Sequence, residues 1–183
     1  MRLNAKQLRD ADPEELKVKI REIKRRPLYF ILENIYDTYN IGGLFRLADA
    51  LNAEKIFLCG QSETPPNHKI KKASIGTDKI VPWEYKKSAA EAVEQLRQET
   101  GQKITIYAVE QLPESSDYTK PNYKLPLALI FGNETFGVTP ETLKLADKAV
   151  VIPMYGINKS LNVIVAAAIV SYWIDNHLGD KNY

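Results

Sequence analysis

The chain has 183 residues, 44% of them hydrophobic and 26% charged, and carries a formal net charge of +2. That length suits one compact domain, the composition excludes a disordered or fibrous protein, and so small a charge marks a nucleic-acid binder only if its basic residues cluster. A lone cysteine, no signal-peptide pattern at the N-terminus, and no apolar run of the ~20 residues a bilayer demands point to a cytoplasmic protein without membrane anchor or disulfide.

Glu14 to Arg26 sets Leu16, Ile20 and Ile23 on one helical stripe, ringed by Lys17, Lys19, Arg21, Lys24, Arg25 and Arg26. It reads as a basic N-terminal helix, either a phosphate binder or a solvated face. Leu28 to Leu32 is the first of five short apolar runs; the others are Ile56 to Cys59, Ile104 to Val109, Leu127 to Phe131 and Ala149 to Ile152. None alternates polar with apolar residues, which predicts strands of a parallel sheet buried on both faces, with Cys59 as a buried thiol.

After the first strand, Asn34 to Arg46 opens a helix through Gly42 and Gly43. Such a turn can cradle a phosphate, although the spacing is not that of a dinucleotide fingerprint. Gln61 to Lys72, with Pro65 and Pro66, reads as a long loop facing substrate or an insertion. From Lys69 to Lys87, Lys71, Lys72, Lys79 and Lys86 interleave with Trp83 and Tyr85, a texture shared by RNA-binding surfaces and by ordinary solvated faces. Ser88 to Thr100 predicts a helix: Ser88 and Glu91 form a capping box, Ala89, Ala92, Val93 and Leu96 share a stripe, and Gly101 stops it. Gln111 to Pro126 is a second long loop.

The strand from Leu127 runs into Gly132-Asn133-Glu134-Thr135-Phe136-Gly137, where the two glycines imply a close approach by a ligand or another chain segment and Glu134 has the bland alternative of a local cap. Thr139-Pro140-Glu141 signals another helix start. The strand ending at Ile152 leads through Tyr155 to Asn162 into an apolar helix from Leu161 to Ile174, with Ser160 as its expected N-cap and Asn162 as a buried amide in need of partners. Strands alternating with helices predict an α/β domain with helices on both sheet faces.

Three of these segments, Asn40 to Arg46, Gly132 to Gly137 continuing to Ile152-Pro153-Met154, and Ser160-Leu161-Asn162-Val163, resemble in order and spacing the three signature motifs of the SpoU family of tRNA and rRNA 2′-O-methyltransferases, within the SPOUT superfamily. The resemblance runs from about Leu28 to about Trp173, with a weaker match at Ala73 to Trp83. It implies a mostly parallel sheet with a C-terminal trefoil knot over residues 27–183, preceded by a basic extension over residues 1–26. S-adenosyl-L-methionine is the implied cofactor, held around Val109, Gly132, Ile152, Ser160 and Leu161, without a metal. Arg46, Asn40, Glu134, Ser160 and Asn162 are the implied catalytic set. Because a guanidinium hardly ever deprotonates, Arg46 is expected to donate hydrogen bonds to the developing alkoxide and the neighbouring phosphate and not to act as base.

The implied assembly is a homodimer with the apolar C-terminal helix at its interface. The expected partner is RNA, and tRNA in preference to rRNA, because only the short basic extension precedes the matching region. An alternative of another class is a non-catalytic RNA-binding protein of the same fold.

Overall fold

The computed structural model describes residues 5–10, 12, 16, 20 and 22–178. Its centre is a seven-stranded sheet in the order β3-β2-β1-β6-β4-β7-β5, and every strand pair runs parallel. The strands are β1 (Arg26–Glu33), β2 (Ala53–Cys59), β3 (Trp83–Lys86), β4 (Thr105–Val109), β5 (Ser116–Asp117), β6 (Leu127–Phe131) and β7 (Lys148–Val151). The helices are α1 (Ala5–Asp10), α2 (Thr38–Ala50), α3 (His68–Ser74), α4 (Ala89–Glu99), α5 (Pro140–Leu143) and α6 (Val163–His177), with a 3₁₀ turn at Thr77–Lys79.

Alternate residues of each central strand feed different cores, as the two-residue repeat of a strand requires. In β1, Leu28, Phe30 and Leu32 pack with Ile41, Leu44 and Leu47 of α2 and Val163, Ala167 and Val170 of α6. Tyr29 and Ile31 face the other way, onto Ala89, Ala92, Val93 and Leu96 of α4 and onto Leu143 of α5. The parallel order and the two covered faces agree with the sequence reading.

The five predicted strands form with ends shifted by up to three residues, and β3 and β5 are additional edge strands. β3 is partly polar and β5 only two residues long, so neither shows the apolar run that marks a doubly buried strand. Both predicted long loops are partly ordered, one holding the start of α3 and the other β5. Cys59 is fully buried, and burial, chiefly, pushes its thiol pKa up.

Gly42 and Gly43 correct an expectation. They lie inside α2 and not in the turn before it, so they cradle no phosphate. A Cβ on Gly42 would strike Ala73 of α3, and one on Gly43 would strike Ile164 of α6. The pair lets three helices close on one another. The capping box is also displaced by one residue: Ser88 Oγ accepts from the Glu91 amide, but the Glu91 carboxylate accepts from the amide of Lys87.

Residues 22–26 of the predicted basic N-terminal helix are not helical, Arg26 opening β1 instead, and residues 14, 15, 17–19 and 21 lie outside the described residues. Within them, Leu8 and Leu16 are buried, and the Leu8 backbone lies against Gly76. Arg25 and Arg26 are committed to the fold: Arg25 donates to the carbonyls of Ala53 (3.1 Å) and Ile80 (2.7 Å), and Arg26 pairs with Asp175 of α6. These two guanidiniums are structural and not part of a phosphate-binding face.

Candidate functional site

Three strand exits build the site at the C-terminal edge of the sheet, where open α/β sheets bind ligands. At the first, Asn34 turns the chain with a positive φ of 56° and accepts from the Gln61 amide at 2.9 Å. Ser62 Oγ accepts from the Ile35 amide (2.8 Å) and donates to Leu32 O (3.1 Å), binding the exits of β1 and β2 together. Asp37 then caps α2 through the Tyr39 amide (2.8 Å), and Asn40 falls on the buried face of the first turn.

The second exit follows β6. Asn133 and Gly137 exchange backbone hydrogen bonds of 3.1 and 2.8 Å, and a Cβ on Gly132 would strike the Gly137 carbonyl. The close approach expected at these glycines is thus by the chain itself. The buried Asn133 side chain accepts from the amides of Thr135 (2.8 Å) and Phe136 (3.1 Å) and donates to Asn34 O (3.0 Å). Asn133 is the local cap, which releases Glu134 to project outward. Gly137 adopts φ 70° beneath the Glu110 carboxylate, which accepts from the amides of Val138 (2.9 Å) and Gln111 (2.7 Å).

Below this turn the buried Glu33 carboxylate accepts from the Thr139 amide (2.8 Å), the Thr139 hydroxyl (2.9 Å) and the Thr142 hydroxyl (2.6 Å). It ties the start of α5 to the end of β1. A buried carboxylate is tolerable when several donors surround it.

The third exit runs from β7 through residues 152–162. Here two expectations are corrected: Asn162, not Ser160, caps α6, accepting from the Ile164 amide at 2.9 Å, and Asn162 is exposed, not buried. Ser160 sits two residues upstream in irregular chain, its amide donating to Asn158 Oδ1 at 3.3 Å.

The three exits meet in one polar chain. Asn162 Nδ2 donates to Asn40 Oδ1 at 3.0 Å, and Asn40 Nδ2 donates to Glu134 Oε1. A carboxylate only accepts, so the Asn40 amide has one consistent orientation, NH₂ toward Glu134 and oxygen toward Asn162. Residues from three distant stretches of chain are held in register this way.

Beside this chain opens a cavity of about 520 Å³, within the range of small-molecule sites. Val109, Gly132, Ile152, Ser160 and Leu161 all line it, as do Glu110 and Glu134. Its walls combine an apolar strip, from Phe131, Val150 and Leu161, with the two carboxylates and one ammonium, that of Lys159, which leaves the charge of the lining negative. That set accepts a ligand with a flat apolar body and a positively charged centre.

Asn40, Arg46 and Asn162 do not line the cavity. Asn40 and Asn162 reach it through Glu134. Arg46 stands apart: six residues along a helix is about 120° round and roughly 9 Å onward from Asn40, and its side chain is exposed.

Sequence reasoning missed Glu33, Glu110 and Asn133. The available signal was a polar residue within two positions of the end of an apolar run, at the sheet edge where ligands bind.

Residues 27–172 match the SpoU rRNA Methylase family. A tRNA (guanosine(18)-2′-O)-methyltransferase of Thermus thermophilus is 32% identical over 157 residues, covering 84% of this chain and 78% of the relative. The crystal structure of the Aquifex aeolicus TrmH/SpoU tRNA modifying enzyme superposes with a TM-score of 0.75 at 28% identity, covering 90% of this chain and 82% of that one. The SpoU methyltransferase AviRb from Streptomyces viridochromogenes, in complex with the cofactor AdoMet, superposes with a TM-score of 0.76 at 26% identity, over 85% of this chain and 62% of its own length.

Proposed function

Because the chain belongs to the SpoU rRNA Methylase family, we propose that it is an RNA methyltransferase that carries a methyl group from S-adenosyl-L-methionine to a ribose 2′-hydroxyl. The observation that supports this most is the junction of Asn162, Asn40 and Glu134 at the rim of a cavity lined by all five residues expected around the cofactor. S-adenosyl-L-methionine fits the residues present. Its adenosine suits the apolar strip, and its sulfonium and ammonium charges suit a cavity whose two carboxylates, Glu110 and Glu134, outnumber the single ammonium of Lys159. When bound it supplies an activated methyl carbon; the protein's own residues do the rest.

Val109, Gly132, Ile152, Ser160 and Leu161 hold the cofactor, with Glu110 fixing the turn that forms its floor. Asn40, Asn162 and Glu134 orient the nucleotide at the rim, where positioning supplies much of the acceleration. Glu134 is the carboxylate available at the rim to take up a hydroxyl proton. Arg46, exposed and permanently charged, donates to the ribose oxygen as charge develops and to the adjacent phosphate. The knotted threading of residues 152–162, the basic N-terminal extension over residues 1–26 as a unit apart from the domain of residues 27–183, and work in a reducing cytoplasm belong to the same reading.

Arg46 lies off the cavity of its own chain, which favours a homodimer in which α6 meets its copy and RNA bridges the two. Val165 and Tyr172, one heptad apart on α6, are exposed, as are Phe136, Tyr155 and Ile157 around the cavity mouth. Apolar residues grouped this way mark an interface. tRNA is the substrate we favour over rRNA, in line with the T. thermophilus relative.

Incubation with labelled S-adenosyl-L-methionine and total tRNA or ribosomal RNA, followed by mapping of 2′-O-methyl sites, tests the proposal. Site-specific transfer is the expected result. Cofactor binding without transfer to either RNA would overturn the activity and favour an RNA-binding protein that retains the fold.

A further inference from the structure

A second cavity, of about 530 Å³, opens on the same sheet edge between the first turn of α2 and the start of α3. Tyr36, Asp37, Thr38 and Tyr39 line it from the β1 exit, and Glu63, Asn67, His68 and Lys69 from the β2 exit. Tyr39 precedes Asn40 directly, so the Asn162-Asn40-Glu134 chain lies between this cavity and the first.

Only some of its polar groups are spent on the fold. Asp37 and Asn67 cap their helices. Among the described residues, however, the side chains of Tyr36, Tyr39, Glu63, His68 and Lys69 make no hydrogen bond or ion pair. Tyr36 and Tyr39 are 46% and 51% exposed, although their backbone is fixed by the Asp37 cap and by the stitching of Asn34 and Ser62. Rings held out to solvent on a rigid turn are what stacking against a flat ligand requires.

Charge separates the candidate ligands. Asp37 and Glu63 outnumber Lys69, so a phosphate would meet net repulsion. Carboxylates instead accept from N–H groups, and amino groups on the edges of guanine, adenine and cytosine supply them, whereas uracil presents mainly carbonyl oxygens.

Resting on the methyltransferase reading, we propose that this second cavity is a base-binding subsite. It takes an unstacked RNA base with an exocyclic amino group, stacked on Tyr36 and Tyr39 with Glu63 accepting from the amino group, and so sets the nucleotide whose ribose reaches the Asn40-Glu134 rim.

The test uses the full chain, fluorescein-labelled hexanucleotides rA6, rC6 and rU6, total tRNA, and calorimetric titration with S-adenosyl-L-methionine. The native chain is expected to bind rA6 and rC6 more tightly than rU6. The double variant Tyr36→Ala/Tyr39→Ala is expected to keep cofactor affinity, which also reports that it folds, while losing roughly tenfold or more in hexanucleotide affinity and raising KM for tRNA. Tyr36→Phe/Tyr39→Phe, which keeps both rings, retains binding, and Glu63→Ala removes the difference between rC6 and rU6. Unchanged hexanucleotide binding in the double alanine variant, or equal binding of all three oligonucleotides by the native chain, overturns the subsite. Normal discrimination by a native chain that methylates no RNA upholds the subsite and overturns the methyltransferase reading instead.

Discussion

Arg46 and Asn40 sit on one helix, yet one points to solvent and the other, buried, links the exposed Asn162 and Glu134 in a hydrogen-bond chain. Their roles therefore separate experimentally. Arg46→Ala is expected to leave cofactor affinity unchanged and to lower kcat by about 10²–10³, the typical loss when one donor to a developing oxyanion is removed. Calorimetry beside single-turnover methyl transfer measures both, and a fall in cofactor affinity instead would reassign the residue to ligand binding. Glu33 acts at a distance from the chemistry. Glu33→Gln places an amide NH₂ among the donors of Thr139 and Thr142, and a buried donor left without an acceptor costs about 1–3 kcal/mol. Urea denaturation should register that loss. Weaker cofactor binding should accompany it, because Thr139, which the same carboxylate holds, directly follows the turn from Gly132 to Val138 at the cavity wall.

At the scale of elements, the buried strands were legible because a strand covered on both faces needs an unbroken apolar run, and the five interior strands β1, β2, β4, β6 and β7 have one. Edge strands β3 and β5 were not legible, since their stability comes from pairing with one neighbour and not from their own composition. The motif segments could be placed at strand exits from sequence. The bond from Asn40 to Glu134 could not, because residues 94 positions apart meet only through the strand order.

Of the interleaved lysines from Lys69 to Lys87, Lys86 is committed to a carboxylate, together with Lys55 of β2. Lys55 and Lys86 flank Glu84 at 3.4 and 2.7 Å. The hydrogen bond from Lys86, chiefly, lowers the Glu84 pKa from 4.5 to about 2. Because the folded-state value lies below the unfolded one, this carboxylate adds stability above about pH 4.5 and gives it up as the pH falls toward 2. Its side chain is 37% exposed, so solvent screening keeps the contribution under about 1 kcal/mol. Glu84→Gln is thus expected to lower neutral-pH stability slightly and to flatten the acid limb of a stability-versus-pH curve. Gly42 governs a larger effect. Gly42→Ala forces α2 away from Ala73, and overpacking of this kind costs about 1–3 kcal/mol, measurable by thermal unfolding.

For the whole molecule, the proposed dimer is tested through its exposed apolar residues. Val165→Glu with Tyr172→Glu buries two charges at the α6 contact and is expected to yield monomers in sedimentation velocity, with methyl transfer lost; a monomeric variant of full activity would remove the partner from the site. The order of the sheet carries one more consequence. β6 enters last among the central strands and wedges between β1 and β4, supplying hydrogen-bonded neighbours to both. A nascent chain that has emerged only as far as Pro126 therefore presents two unsatisfied, largely apolar ladders, one from Leu28 to Leu32 and one from Thr105 to Ala108. Such edges recruit strands from other chains. Synthesis stalled or truncated at that point should yield insoluble product, and extension through α6, which adds β6, the β7 partner of β4 and the helix that covers β1, should restore solubility.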